Sequence, residues 1–133
     1  MARANILMVD DEPDIVELVN YNLGKDNYDV LSVTSGEEAL VKIHTSPPDL
    51  IILDLMLPKM NGMEVCAALK QDPQYRQIPI IIFTAQGREM DEKLCREIGA
   101  DAYITKAQQS KALIEQIDIL LTRILAKRAQ DGS

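Results

Sequence analysis

The chain has 133 residues and a formal net charge of −7, with 47% hydrophobic and 26% charged residues. This length fits one domain, and the apolar content is sufficient for a folded core, which excludes a disordered chain. The negative charge argues against direct nucleic-acid binding, and the apolar segments are far shorter than the ~20 residues that a membrane-spanning helix needs.

The first predicted strand covers residues 6–9 and ends at Asp10. Pro13 suits the first turn of the helix that follows, and Gly24 provides a C-terminal stop for it. Residues 30–33 form a weaker second strand. Ser35 and Glu38 then make a capping-box pattern at the start of the second helix.

The second half of the chain continues the alternation of strands and helices. Predicted strands cover residues 51–53, 80–83 and 102–105, and predicted helices cover about 63–70, about 88–98 with Gly99 as its stop, and a last segment with apolar residues at 113, 117, 120, 121 and 124. Continuous apolar strands are typical of a parallel sheet covered on both faces. Five strands alternating with five helices predict a doubly wound α/β domain. We assign residues 1–127 to this domain and residues 128–133 to a polar tail or the start of a linker.

Two cysteines, Cys66 and Cys95, fall within the helical patterns, and neither belongs to a CxxC pair. We therefore expect buried reduced thiols and no disulfide. The only histidine, His44, lies at the end of the second helix and is expected to be exposed, so no histidine or cysteine cluster is available to bind zinc.

Polar residues follow four of the predicted strands. Asp10 and Asp11 follow the first, Asp54 the third and Lys106 the fifth, and Thr84 follows the fourth. Each has an ordinary explanation: residues 10–12 could cap a helix, and the others could end strands at turns. In the flavodoxin-like strand order 2-1-3-4-5, however, these strand ends share one edge of the sheet, which is where ligands bind in such folds. Their coincidence favours a ligand site.

Three carboxylates at one edge repel one another. At ~4 Å each pair costs on the order of 4 kcal/mol for an effective dielectric constant of 20, so a cation or a proton must offset the repulsion. Oxygen ligands that leave coordination positions open suit Mg2+ or Mn2+.

Four segments closely resemble the receiver domains of two-component response regulators, including the chemotaxis regulators. They are residues 9–12 (VDDE), 54–62 (DLMLPKMNG), 83–85 (FTA) and 99–106 (GADAYITK), and the resemblance extends from about residue 5 to about residue 125. It implies a three-layer α/β/α fold with the strand order 2-1-3-4-5.

The resemblance also implies a chemistry. Asp54 would accept a phosphoryl group from a sensor histidine kinase, a phosphotransfer protein or a small donor such as acetyl phosphate, and Lys106 and Thr84 would bind the phosphoryl oxygens. Mg2+, with Mn2+ as an alternative, would be held by Asp10, Asp11, Asp54 and the backbone carbonyl of Met56.

Switching in this family implies that Thr84 moves toward the phosphoryl group and the ring of Tyr103 turns inward. This remodels the face formed by the fourth helix, fifth strand and fifth helix, and so controls a downstream protein or an output domain. The chain would then be a cytoplasmic signalling switch and not an enzyme for external substrates, without membrane or direct nucleic-acid contact, as a monomer or a phosphorylation-dependent dimer.

Two departures from the family pattern stand out. The family lysine is usually followed by proline in a cis peptide and then an aromatic residue, whereas this chain has Lys106-Ala107-Gln108. A cis bond before a non-proline residue costs about 2.5 to 4 kcal/mol, so we predict a trans Lys106–Ala107 bond. Asp101-Ala102-Tyr103 also lacks the second aspartate that is usual in the DNA-binding subfamily, which weakens the expectation of its symmetric dimer.

Other interpretations remain open. A phosphatase that uses an aspartyl phosphate would carry an acid at position 56, where this chain has Met56. A degenerate receiver used only for docking is favoured slightly by Ala107 and Gln108. A flavin carrier is disfavoured because the first loop is acidic where a phosphate would need backbone donors. A stand-alone regulator and a fragment of a longer one are not distinguished.

Overall fold

Five parallel strands form a single sheet in the order β2-β1-β3-β4-β5. The structure is a computed structural model that describes residues 4–85, 87–107 and 110–130. The strands are β1 (Asn5–Val9), β2 (Asp29–Val33), β3 (Leu50–Leu53), β4 (Ile80–Thr84) and β5 (Ala102–Thr105). The predicted fold class and strand order are confirmed.

Five helices connect and follow the strands. They are α1 (Pro13–Lys25), α2 (Gly36–Thr45), α3 (Gly62–Gln71), α4 (Glu89–Ile98) and α5 (Ser110–Gln130). The observed ends of α3 and α4 differ from the predicted ones by one residue at most. Helix α5 continues to Gln130, so the backbone is helical over residues 128–130, assigned above to the tail, and the position of the domain boundary stays a prediction.

The C-terminal end of α1 differs from the prediction. Gly24 was expected to stop the helix, but α1 continues to Lys25, and the left-handed conformation that follows it belongs to Asn27, with φ 65°. The backbone N–H of Asn27 donates to the carbonyl of Gly24, and that of Tyr28 donates to Leu23. Asparagine tolerates this conformation better than other residues with a side chain, so it replaces glycine here.

Side-chain caps fix the starts of α2 and α3. Ser35 Oγ accepts a hydrogen bond from the backbone N–H of Glu38 at 3.2 Å, which confirms the predicted N-cap. Asn61 Oδ1 accepts from the N–H of Met63 at 2.6 Å. Such caps satisfy N–H groups that have no partner within the helix. The Asn61 cap starts α3 directly after the loop that carries Asp54.

The sheet separates two apolar clusters, because successive residues of a strand point to opposite faces. The first cluster includes Met8, Ile52, Ile104 and residues of α1 and α5; the second includes Leu7, Leu53, Tyr103 and residues of α2, α3 and α4. Cys66 and Cys95 are buried free thiols in the second cluster, as predicted. His44 is exposed, as predicted. Among the described helices, none combines the length and the apolar character needed to cross a membrane.

Candidate functional site

Asp10 and Asp54 lie side by side at the carboxyl edge of the sheet. Strands β1 and β3 are neighbours, with Val9 aligned to Leu53, so the residue after each strand reaches the same place. The backbone N–H of Asp54 donates to the carbonyl of Val9 at 3.0 Å, which keeps the two chains paired up to the site. Each aspartate is only 2% exposed. The sheet therefore buries two carboxylates at its edge.

The ammonium group of Lys106 lies among the carboxylates. Its Nζ is 2.9 Å from Asp10 Oδ2, 2.9 Å from Asp54 Oδ2 and 2.5 Å from Glu12 Oε1. The backbone N–H of Lys106 donates to the carbonyl of Thr84 at 2.8 Å, so the end of β4 positions the start of this loop. The side chain of Lys106 is 8% exposed. One buried cation thus contacts three acidic side chains.

Burial and pairing act in opposite directions on these groups. Burial raises the pKa of Asp10 above its ordinary value and outweighs the hydrogen bond from the Glu12 N–H and the close contact with Lys106, which lower it. Burial by itself would lower the pKa of Lys106, but the hydrogen bonds to Glu12 and Asp54 and the close contact with Asp10 outweigh it, and the net effect is a raised pKa. Lys106 therefore stays protonated, whereas burial disfavours the ionised form of Asp10.

The donor set fits a hard divalent cation. Oxygen atoms of Asp10, Glu12 and Asp54 come within 4.8 Å of one another. Asp10 Oδ2 is buried, and although Lys106 Nζ lies 2.9 Å away, this oxygen has no well-directed hydrogen bond. When all three acids are ionised they outnumber the single ammonium group, and such oxygen ligands are those that Mg2+ and Mn2+ prefer. The residues present could therefore hold such an ion.

The structure brings Glu12 into this group, whereas Asp11, which was predicted as a ligand, is exposed and lies outside the acidic cluster found among the described residues. Sequence reasoning treated Glu12 only as a helix-capping residue. It precedes Lys106 by 94 positions, and no spacing pattern signals that contact. The only sequence signal was its place in the acidic run that follows β1.

The loop between β3 and α3 orients Asp54. The backbone N–H of Met56 donates to Asp54 Oδ1 at 3.0 Å, so the main chain at this residue, whose carbonyl was predicted as a metal ligand, lies beside the carboxylate. Lys59 has φ 66°, and the N–H of Met60 donates to the carbonyl of Pro58 at 2.7 Å across it. This tight turn leads the chain back toward the sheet.

Gly62 packs directly against the backbone of Asp54. A Cβ atom at position 62 would lie 2.0 Å from the carbonyl oxygen of Asp54 and 2.8 Å from the Cα atom of Leu55. The N–H of Gly62 also donates to the carbonyl of Leu55 at 3.0 Å. Only glycine allows this approach, so the start of α3 packs directly against the backbone of Asp54.

The two predicted switch residues occupy different places. Thr84 is fully buried at the end of β4, where it aligns with Thr105. Tyr103 lies in the middle of β5, is 7% exposed and belongs to the second apolar cluster. Burial raises the pKa of its phenol to about 12. In this structure the ring of Tyr103 is inside the domain.

The loop after β5 begins with the predicted backbone geometry. The described residues contain no cis peptide bond, so Lys106–Ala107 is trans. Gln108, which stands where the family usually has an aromatic residue, lies outside the described residues.

Comparison with known proteins identifies the family. The family model of the response regulator receiver domain matches residues 6–118. The chain belongs to the response regulator receiver family. Its fold, its paired acidic residues and its lysine at the end of β5 agree with this assignment, and a receiver domain is a signalling domain.

Three similar proteins illustrate the range of the family. This receiver domain is 47% identical over 118 residues to the alkaline phosphatase synthesis transcriptional regulatory protein PhoP of Bacillus subtilis. The aligned region covers 89% of this chain and 48% of PhoP. The chain thus spans about half the length of that relative. The BeF3-activated N-terminal receiver domain of RstA from Klebsiella pneumoniae superimposes with a TM-score of 0.81, at 33% identity, over 88% of this chain and 97% of that one. The Mn(2+)-bound form of the response regulator Rcp1 gives a TM-score of 0.78 at 29% identity, over 86% of this chain and 88% of that one.

Proposed function

We propose that this receiver domain is the phosphoacceptor switch of a two-component phosphorelay, and that Asp54 takes the phosphoryl group from a sensor histidine kinase or a phosphotransfer protein. The observation that carries the proposal is the position of the Asp54 carboxylate. It is buried, one oxygen accepts from the Met56 N–H, and the other lies 2.9 Å from Lys106 Nζ. A buried carboxylate held between an N–H group and a cation is restrained in orientation. It also lies beside a positive charge that can neutralise the oxygens of a phosphoryl group.

In the proposed transfer, a carboxylate oxygen of Asp54 attacks phosphorus in line. The bond between phosphorus and the nitrogen or oxygen of the donor breaks, and the donor leaves with that electron pair. The Met56 N–H keeps the carboxylate oriented during the attack. The ammonium of Lys106 and the hydroxyl of Thr84 bind phosphoryl oxygens, and positioning and charge compensation of this kind supply most of the catalysis in phosphoryl transfer.

The proposed metal ligands are Asp10, Asp11, Asp54 and the backbone carbonyl of Met56. Bound Mg2+ or Mn2+ would supply positive charge for the phosphoryl oxygens. Two observations support an ion here: the oxygen atoms that cluster around the buried Asp10, and the similar fold of Rcp1, which was solved in a Mn(2+)-bound form.

The proposed output follows from the charge that phosphorylation adds. A phosphoryl group carries about −1.5 to −2 charge, enough to bias a two-state loop through new charge-assisted bonds. Thr84 and Tyr103 lie on adjacent strands, and movement of these residues would alter the surface of α4, β5 and α5. That surface would control a downstream protein or an output domain, and the name of PhoP, a transcriptional regulatory protein, supports an output in transcription.

Phosphorylation can be tested directly. The domain is incubated with Mg2+ and acetyl phosphate, and its intact mass is compared with those of Asp54→Asn and of Asp29→Asn, which removes an exposed carboxylate on β2. We expect a gain of one phosphoryl group in the wild type and in Asp29→Asn, and none in Asp54→Asn or after chelation of Mg2+. Unchanged labelling of Asp54→Asn would refute the proposal. Steady hydrolysis of unrelated phosphate monoesters would indicate a phosphatase instead.

A further inference from the structure

Glu12 contacts Lys106 from the solvent side of this pocket, and the proposed function gives it no role. It is the N-cap residue of α1, yet its side chain makes no capping hydrogen bond. The residues preferred at this position have short polar side chains that reach the first N–H groups of the helix. The longer side chain of Glu12 instead accepts a hydrogen bond from Lys106 Nζ, 94 residues away in sequence.

The three partners of Lys106 differ in depth. Asp10 and Asp54 are buried, whereas the Glu12 side chain is 55% exposed and lies on the solvent side of the ammonium group. A divalent cation that binds the oxygens of Asp10 and Asp54 would neutralise those two partners and repel the ammonium. Of the three carboxylates, Glu12 would then remain to pair with Lys106 at the mouth of the pocket.

The backbone after Lys106 lacks the restraint of a proline, although the Lys106 N–H itself is bonded to Thr84. Residue 107 is alanine, so the ring that would restrict φ at that position is missing. Contacts made by the side chain therefore have the larger part in placing the ammonium group. Of the three carboxylates that the ammonium contacts, only that of Glu12 is on an exposed side chain.

We propose that Glu12 is a positioning residue that holds Lys106 Nζ at the mouth of the pocket when the metal is bound, so that the ammonium meets the incoming phosphoryl group. The inference rests on the proposed function, because it assigns Lys106 the same task. The positioning role differs from a general effect of negative charge, because positioning requires contact between the Glu12 carboxylate and the Lys106 ammonium.

Two substitutions separate contact from charge. Glu12→Asp keeps the charge but shortens the side chain by one methylene group, and aspartate is a favourable N-cap, so α1 is not weakened. Glu12→Gln keeps the length but removes the charge. Asp14→Asn, which removes an exposed carboxylate from the first turn of the same helix, is the matched control.

Mg2+ affinity, followed by backbone amide chemical shifts, reports charge. We expect Glu12→Asp to bind Mg2+ as the wild type does, and Glu12→Gln to bind it about ten-fold more weakly, because it removes one negative charge that attracts a nearby divalent ion through water. The rate constant of phosphorylation by acetyl phosphate at saturating Mg2+ reports position. We expect it to fall about ten-fold in both variants and to stay unchanged in Asp14→Asn.

A second measurement does not depend on phosphorylation. In the Mg2+-loaded domain, the NMR signal of the Lys106 ammonium protons should be protected from solvent exchange in the wild type and in Asp14→Asn, and lost in both Glu12 variants. Wild-type rates in both Glu12 variants at saturating Mg2+, or a slow rate in Glu12→Gln alone, would overturn the positioning role and leave the proposed function intact. If the wild type itself takes no phosphoryl group, the proposed function fails, and the ammonium signal still decides whether Glu12 holds Lys106.

Discussion

Substitution of Gly62 by alanine should destabilise the domain strongly, because the new Cβ atom would lie 2.0 Å from the carbonyl oxygen of Asp54. Real Cβ contacts stay beyond 3.0 Å, so α3 and the backbone of Asp54 must separate by roughly 1 Å. The obstructing atoms belong to the backbone and cannot rotate away. Forced separation of packed elements costs about 3 kcal/mol, which is a large effect for a single substitution.

Gly24→Ala provides the matched control. A Cβ atom at position 24 has no neighbour within 4 Å, and the residue lies inside α1, where alanine is favoured over glycine by about 0.5 to 1 kcal/mol. The free energy of unfolding, measured by urea titration with circular dichroism, should therefore fall in Gly62→Ala and rise slightly in Gly24→Ala. Equal stability of Gly62→Ala and the wild type would refute the argument that these backbones are in contact.

Two further predictions concern buried charge. The folded state raises the pKa of Asp10 above its ordinary value of 3.8, so stability is lost as the pH rises from that value through the raised pKa. Asp10→Asn removes this loss, so urea unfolding in metal-free buffer should show the variant to be more stable than the wild type at pH 7. The difference in stability should vanish below pH 3.8. A variant that is less stable at pH 7 would contradict a raised pKa of Asp10. Lys70 Nζ donates to the carbonyls of Arg76 and Ile78 and to Asp101 at 2.9 to 3.1 Å, so Lys70→Met should lower the free energy of unfolding by about 2 kcal/mol. The control Lys93→Met, on the exposed face of α4, should change it little. Similar effects of the two substitutions would show that the bonds of Lys70 do not stabilise the fold.

The sequence predicted the fold because the central strands β1, β3 and β4 are buried on both faces and therefore have continuous apolar sequences. It also placed Asp10, Asp54, Thr84 and Lys106 at the carboxyl ends of strands, since the topology of a parallel sheet fixes that edge. The direct contacts of Lys106 with Asp10 and Asp54 agree with this expectation.

The errors have a common physical origin in side-chain reach and local backbone geometry. Glycine is the residue type that most often ends a helix, but whether Gly24 or Asn27 adopts the left-handed conformation after α1 depends on how the chain enters β2. The contact between Glu12 and Lys106 depends on the length of two flexible side chains. Lys70 and Asp101 join α3 to the start of β5, and no spacing pattern in the sequence pairs these two residues.

The division of the core by the sheet has a consequence for how this sequence can vary. On β5, Tyr103 packs in the cluster shared with α3 and α4, while Ala102 and Ile104 pack in the cluster shared with α1 and α5. Compensating substitutions in one half of the interior therefore need no matching change in the other. Related chains can diverge separately on the two sides, and residues of the two apolar clusters should show independent patterns of covariation.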